Sequence, residues 1–193
     1  LARPDKAFRA RLQIATKVGN PHGCPPGDRP LSRTQVAHHL DESLRRLGLE
    51  QIGLYYVHEF DPKTPLVETL EALERALAQG KIASFGISNA SLADLKNVLA
   101  LSTGALRRAF THLQNEYNLL VQRDLSDVIP LCRAEGVTYV AFSPLAGGLL
   151  SGKYRQDQKI ASGRMNDARA MYEHLLTSSS FEAIETLKRT ASE

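Results

Sequence analysis

Ile52-Gly53-Leu54-Tyr55-Tyr56-Val57-His58 is the stretch on which the fold turns. From Ile52 to Val57 both alternating faces are apolar, the pattern of a strand covered on each side, as in a parallel sheet. It ends on a polar residue, His58. Upstream, Ser32 heads a helical stretch whose apolar positions Val36, Leu40, Leu44 and Leu47 recur at helical spacing, and Gly48 stops it. Downstream, Thr64 is expected as an N-cap with Pro65 at the first helical position. Leu66, Leu70, Leu73 and Leu77 form the apolar stripe of that helix, and Gly80 closes it.

Working outward, the same alternation continues. Strands are expected at Leu12–Thr16, Ile52–Val57, Ile82–Ile87, Leu113–Tyr117 and Val137–Phe142, at intervals of roughly 25 to 40 residues. Ser91 and Asp94 form a capping pattern ahead of Leu92, Leu95, Val98 and Leu99. Asp124 is expected to begin the next helix, with Pro130 loosening its first turn and Gly136 ending it. The more polar tail after Gln156 reads as a loop and then helical segments near 168–176 and 181–187, with no sixth strand. Strand–helix repetition of this kind gives an α/β fold with a parallel sheet, either an open doubly wound sheet or a (β/α)8 TIM barrel. No G-x-G-x-x-G follows the first strand, which counts against the dinucleotide-binding doubly wound form.

Composition narrows the function classes. The net charge is +3, from 24 basic and 21 acidic residues scattered over helix faces, so no nucleic acid and no membrane surface is expected as a partner. Cys24 and Cys132 lack metal-ligand spacing, which points away from a metal site or disulfide scaffold and toward a reducing, cytoplasmic setting. The pair His22 and Cys24 is too small to make a metal site, and His38-His39 reads as solvated helix surface.

The polar residues fall where a barrel builds its chemistry. Lys17 follows the first apolar run, His58 the second, and Ser88 with Asn89 the third. Gln114, Asn115 and Glu116 interrupt the fourth, and Ser143 follows the fifth. A single strand-end lysine is usually solvated, and a single histidine is usually structural. Repetition on successive strands favours a site on the carboxyl face, where parallel barrels place theirs. The fifth strand feeds Ser143-Pro144-Leu145-Ala146-Gly147-Gly148-Leu149-Leu150-Ser151-Gly152-Lys153, whose glycines allow a close backbone approach to an anion. A plain glycine-rich turn would look the same. The loop from Val18 to Leu31, stiffened by prolines, either lines a substrate pocket or is a surface insertion.

Several of these stretches together resemble a known family. Ser43-Leu44-Arg45-Arg46-Leu47-Gly48-Leu49, Leu54-Tyr55-Tyr56-Val57-His58 with Asp61, Ile14-Ala15-Thr16-Lys17, Gly86-Ile87-Ser88-Asn89, Gln114-Asn115-Glu116-Tyr117 and Ser143-Pro144-Leu145 are similar to aldo-keto reductase motifs, in order and spacing. The stretch Pro144 to Tyr154 resembles the branch that includes aflatoxin-aldehyde reductases and potassium-channel β subunits.

The resemblance implies an NADPH-dependent (NADP+-dependent) oxidoreductase that passes hydride to aldehyde or ketone carbonyls of small molecules. It implies Lys17 as the lysine that lowers the pKa of a proton-donating tyrosine, and His58 as the histidine that orients the carbonyl. It implies Ser88, Asn89 and Gln114 on the nicotinamide carboxamide, and Phe142 stacked on its ring in place of a tyrosine. Ser143, Leu145, Gly147 and Lys153 match the loop along the pyrophosphate. Glu59 stands where the family often has an aromatic, which argues against aromatic aldehydes as substrates. A regulatory nucleotide-binding barrel like the channel β subunits, without significant catalysis, is the alternative.

The family's D-x-A-x-x-Y segment is not found before Lys17, and Tyr55 and Tyr56 read as core packing. Residues 1–193 are therefore expected to be a single partial barrel domain with about five of eight strands, lacking parts at both ends and inactive alone. The resemblance leaves the oligomeric state open.

Overall fold

A computed structural model of the chain describes Phe8 and residues 11–20, 29–158 and 160–193. Residues 21–28, with Pro21, His22, Cys24, Pro25 and Pro26, lie outside the described residues. The chain divides into two compact units, residues 1–115 with 127–140, and residues 116–126 with 141–193.

The strands are β1 (Ala15–Val18), β2 (Leu54–Val57), β3 (Phe85–Ser88), β4 (Phe110–Glu116) and β5 (Thr138–Phe142), in one five-stranded sheet of order β1-β2-β3-β4-β5. Between them run α1 (Arg33–Leu47), α2 (Leu66–Ala78), α3 (Leu92–Leu101), α4 (Gly104–Ala109) and α5 (Val128–Ala134). The strands are parallel, with Thr16, Tyr55, Phe85 and Phe110 as successive register partners. The fold is therefore α/β, a stretch of the (β/α)8 pattern.

The two sheet faces divide the chemistry. Val18, Tyr55, Val57, Phe85, Ile87, Phe110 and Leu113 are buried against helix residues such as Leu40, Leu73, Leu95, Val98 and Cys132. Phe85 and Phe110 stack with ring centroids 5.2 Å apart. Each fully buried apolar side chain of this kind stabilises the fold by about 1.5–3 kcal/mol. The opposite face carries the row Lys17, Tyr56, Gly86 and His112 and, one step further along, Ser88 beside Gln114.

Local boundaries differ from expectation in ways the contacts explain. β1 begins three residues later than the apolar run, because Ala15 is the first residue to pair with β2 and Leu12 stays 44% exposed. Lys17 thus lies inside the strand. Pro65, not Thr64, occupies the N-cap of α2. The Thr64 hydroxyl is engaged with Asp61 Oδ2 at 2.5 Å, and Asp61 Oδ1 accepts from the Lys63 N–H at 2.8 Å. That turn draws Thr64 away from the helix.

The helix expected from Asp124 begins instead at Val128, where the Asp127 carboxylate accepts the Val128 N–H at 2.6 Å. Pro130 then sits in the first turn, where no backbone donor is required. The caps at Ser32, Gly48 and Ser91–Asp94 form as expected. β4 begins three residues early, behind the unexpected α4. Between Phe85 and Gly86 the β3–β4 register slips, from Phe85↔Phe110 to Gly86↔His112, leaving Thr111 as the extra residue of a bulge.

In the second unit, a 3-10 turn (Ala146–Ser151) is followed by α6 (Arg164–Asp167), α7 (Arg169–Tyr172), a second 3-10 turn (Glu173–Leu175) and α8 (Ser178–Ser192). Ala146, Leu149, Tyr154, Met165, Tyr172, Leu175 and Ile184 form its own core. Among the described residues no strand follows Phe142, and no helix is long and apolar enough to cross a membrane.

Gly86 is the tightest point of the inner face. A Cβ there would lie 2.6 Å from Tyr56 Cε1 and 2.8 Å from the His112 carbonyl oxygen. Backbone cannot yield as a flexible side chain does. Gly86→Ala is therefore expected to cost about 1–3 kcal/mol, read as a lower urea midpoint at unchanged slope.

Candidate functional site

Lys17 projects from β1 onto the inner face, where its ammonium donates to Gln114 Oε1 on β4 and lies 5.6 Å from the centroid of the Tyr56 ring. The ring face offsets part of the lost hydration. Partial burial still holds the ammonium below the ordinary lysine range. The contact also reports on curvature. Three strand spacings separate β1 from β4, about 14 Å in a flat sheet. Side chains standing upright on a flat sheet would not meet over that span, so the sheet curls toward this face, as a barrel wall does.

His58 follows β2, and its N–H extends the parallel pairing to the Val18 carbonyl at 2.7 Å. Its own carbonyl accepts from Asn89 Nδ2 at 2.9 Å. Asn89 follows β3 with φ 53°, a left-handed conformation that asparagine tolerates better than most residues. Its N–H donates to the Gln114 carbonyl at 3.0 Å. One N–H of the Asn89 side-chain amide is thus engaged by the His58 backbone.

Ser88 is fully buried, and its hydroxyl has no hydrogen-bond partner among the described residues. An orphaned buried hydroxyl costs about 1–3 kcal/mol, and such groups are rare unless something else satisfies them. Ser88 is the register partner of Gln114. Together they present a hydroxyl and a carboxamide on one face, a donor and acceptor set matched to a ligand amide. Lys17, Ser88 and Gln114 therefore share the inner face of the first unit, and Asn89 is tied to the His58 backbone at the adjacent strand ends.

Two contributors were given no role of their own by the sequence, Asn115 though named with its neighbours and His112 not at all. Asn115, fully buried, accepts the Ala90 N–H at 2.9 Å and donates to the Ala90 carbonyl at 2.8 Å. It works on the helix side of β4, opposite Gln114, and clamps the turn that carries Asn89. Its signal was a polar residue at a core-facing position, visible but merged with its neighbours. His112 lies on the inner face, edge-on to Tyr56 at 6.4 Å, with Nδ1 2.7 Å from the Thr111 hydroxyl. Burial pushes its imidazole below the usual histidine range, favouring the neutral ring. Only alternation counted back from Gln114 would have found it.

Tyr55 and Tyr56 point to opposite faces and are both buried. Burial raises both phenols, with the Asp41 charge adding to the rise at Tyr55.

In the second unit, the Phe142 carbonyl accepts from the Tyr117 N–H at 3.3 Å. Ser143 has φ 56°, and its carbonyl accepts from Asn118 Nδ2 at 3.1 Å and from the Ala146 N–H at 2.9 Å. Leu145 is exposed. Gly147, at φ 65°, lies flat against the Tyr172 ring, where a Cβ would fall 2.9 Å from the ring carbons. Lys153 is exposed, with its ammonium 5.0 Å from the Tyr154 ring centroid. A cavity of about 310 Å³ lies beside it, lined by Lys153, Tyr154, Arg155, Gln158, Ile160 and Gly163 among others. Two cationic side chains on a polar wall suit an anionic group. Among the described residues no three His, Cys, Asp or Glu side chains are grouped to hold a metal ion.

The profile of the aldo/keto reductase family matches residues 1–193. The chain belongs to that family. It is 34% identical to L-glyceraldehyde 3-phosphate reductase of Escherichia coli over 190 residues, covering 96% of this chain and 54% of that protein. It is 33% identical to aflatoxin B1 aldehyde reductase member 2 of Rattus norvegicus over 148 residues, 77% of this chain and 39% of that one. With aldo-keto reductase yakc [NADP(+)] of Schizosaccharomyces pombe it shares 30% over 158 residues, 80% and 45% of the two chains. The chain spans about half the length of the curated relatives it matches.

Within this aldo/keto reductase chain, the Asn115 clamp makes a direct prediction. Asn115→Ala strands both polar groups of Ala90 in a dry site, and is expected to destabilise by about 2–4 kcal/mol. Chemical denaturation measures the loss, and Asn115→Asp, which keeps only the acceptor, is expected to recover little of it.

Proposed function

We propose that this chain carries the lysine, histidine and nicotinamide-binding part of an NADPH-dependent carbonyl reductase acting on small aldehydes or ketones. The observation that carries the reading is the buried, unpartnered Ser88 hydroxyl beside Gln114, whose side chain also meets Lys17. A hydroxyl and two amides suit a carboxamide, which both donates and accepts. The name of the Schizosaccharomyces pombe relative specifies NADP(+), which favours NADPH over NADH.

When bound, the dinucleotide supplies the hydride. Ser88, Asn89 and Gln114 would hold its carboxamide, and Phe142 would offer an aromatic surface for stacking. Ser143, Leu145, Gly147 and Lys153 follow the pyrophosphate. His58 donates to the carbonyl oxygen as negative charge develops there. Lys17 would lower the pKa of the proton donor by placing an ammonium near it. Residues 1–16 contain no tyrosine. Tyr55 faces the helices, and burial holds the Tyr56 phenol above its usual range. In this reading the donor comes from elsewhere in the whole protein, and the 193 residues alone do not turn over. In this reading the setting is a reducing cytoplasm, and the partners are a small carbonyl or alcohol and the cofactor, not nucleic acid or membrane.

The test follows NADPH absorbance with the whole protein and a panel of aldehydes and ketones. Lys17→Met and His58→Ala are each expected to lower kcat/KM by about 10²–10⁴-fold. Unchanged turnover in both would refute the site. NADPH binding with no turnover of any carbonyl would favour a regulatory barrel.

A further inference from the structure

Tyr172 lies 29 residues beyond Ser143 in sequence, is 2% exposed, and belongs to none of the stretches singled out by motif. Its ring is packed on the backbone of Gly147, and its hydroxyl oxygen sits between two partners. Arg164 Nε donates to it at 3.0 Å, and Ser143 Oγ lies 3.2 Å away. The Arg164 guanidinium carbon is also 5.9 Å from the ring centroid.

A guanidinium N–H only donates, so the phenol oxygen accepts from Arg164. Either hydroxyl can donate across the Ser143–Tyr172 contact. The arrangement that gives the buried phenol proton a partner has the phenol O–H donating to Ser143 Oγ. In that arrangement Ser143 accepts, and its own proton is left to donate outward. A cation at the far end polarises each bond in the series and strengthens the last donor. The Ser143 backbone is meanwhile held in its left-handed conformation by Asn118 Nδ2, so the hydroxyl has a fixed origin as well as a fixed direction.

We infer that Tyr172 is a positioning residue: it fixes Ser143 as a hydrogen-bond donor to an acceptor oxygen of the bound dinucleotide, with Arg164 polarising the relay. This rests on the reading above that Ser143 contacts the cofactor. Tyr172 itself touches neither cofactor nor substrate. It acts through Ser143 and, by its ring, keeps Gly147 in place.

The experiment is a double-mutant cycle on the whole protein, with NADPH affinity from fluorescence titration and the thermal midpoint of each variant. Tyr172→Phe keeps the ring against Gly147 and removes only the hydroxyl. Ser143→Ala is expected to raise the NADPH Kd by about 3- to 10-fold, one hydrogen bond's worth. Tyr172→Phe is expected to raise it by about 2- to 5-fold at a nearly unchanged midpoint. The double variant is expected to bind as Ser143→Ala does, because the hydroxyl of Tyr172 then has nothing to orient.

Full additivity of the two single effects would overturn the inference and make Tyr172 a packing residue. A normal Kd in Tyr172→Phe beside a weakened Ser143→Ala would overturn it while sparing the cofactor reading. A normal Kd in Ser143→Ala would bring down the cofactor contact at Ser143 and the relay together.

Discussion

The hydrogen bond from the Lys17 ammonium to Gln114 Oε1 is the constraint from which the first unit is best understood. It joins β1 to β4 over the two strands between them. That contact requires a curled sheet, and a curled sheet requires a narrow inner row. Gly86 supplies the missing volume, so the Tyr56 ring lies over its position and beneath the lysine. Curvature, packing and the electrostatics of the candidate site are thus one arrangement.

A chemically opposite row makes this possible. Period-2 alternation sends Val18, Tyr55, Val57, Phe85, Ile87 and Leu113 to the helices, where they form a continuous apolar layer. The inner face is then free to carry Lys17, His112, Ser88 and Gln114 without breaking that layer. The Thr111 bulge brings His112, rather than Thr111, opposite Gly86. A bulge beside a site re-aims side chains in this way.

Much of this was legible in the sequence, and the failures have physical causes. Helices with side-chain or glycine caps, such as α1 between Ser32 and Gly48, were legible because capping is local chemistry. Strand ends were less so. Leu12 is apolar enough to suggest a strand, yet pairing with β2 starts only at Ala15, and pairing is a non-local event. Lys17, His58, Ser88, Asn89 and Gln114 stand out in the sequence because polar residues at strand ends interrupt apolar runs. His112 was missed because a bulge shifts the alternation before it. Tyr172 was missed because a contact made by one hydroxyl across 29 residues leaves no periodic trace. Pro65 displaced Thr64 at a cap because the Asp61 carboxylate competed for its hydroxyl.

Three asparagines show why the loops of the site use this residue type. Asn89 lends its amide nitrogen to the His58 carbonyl, and Asn115 exchanges both its polar groups with Ala90. In the second unit, Asn118 donates to the Ser143 carbonyl while its oxygen accepts from the N–H groups of Leu120 and Val121. Each stands in for a backbone unit just beyond the end of a strand, where ladder pairing has stopped but carbonyls and N–H groups still need partners. Aspartate lacks the donor, and at Asn115 would also bury a charge. Glutamine has the same groups but an additional rotatable bond to immobilise. Serine reaches neither partner at once. The left-handed backbones at Asn89 and Ser143 are conformations costing about 1 kcal/mol or more, and these side-chain bonds offset that cost at two positions where the chain leaves a strand.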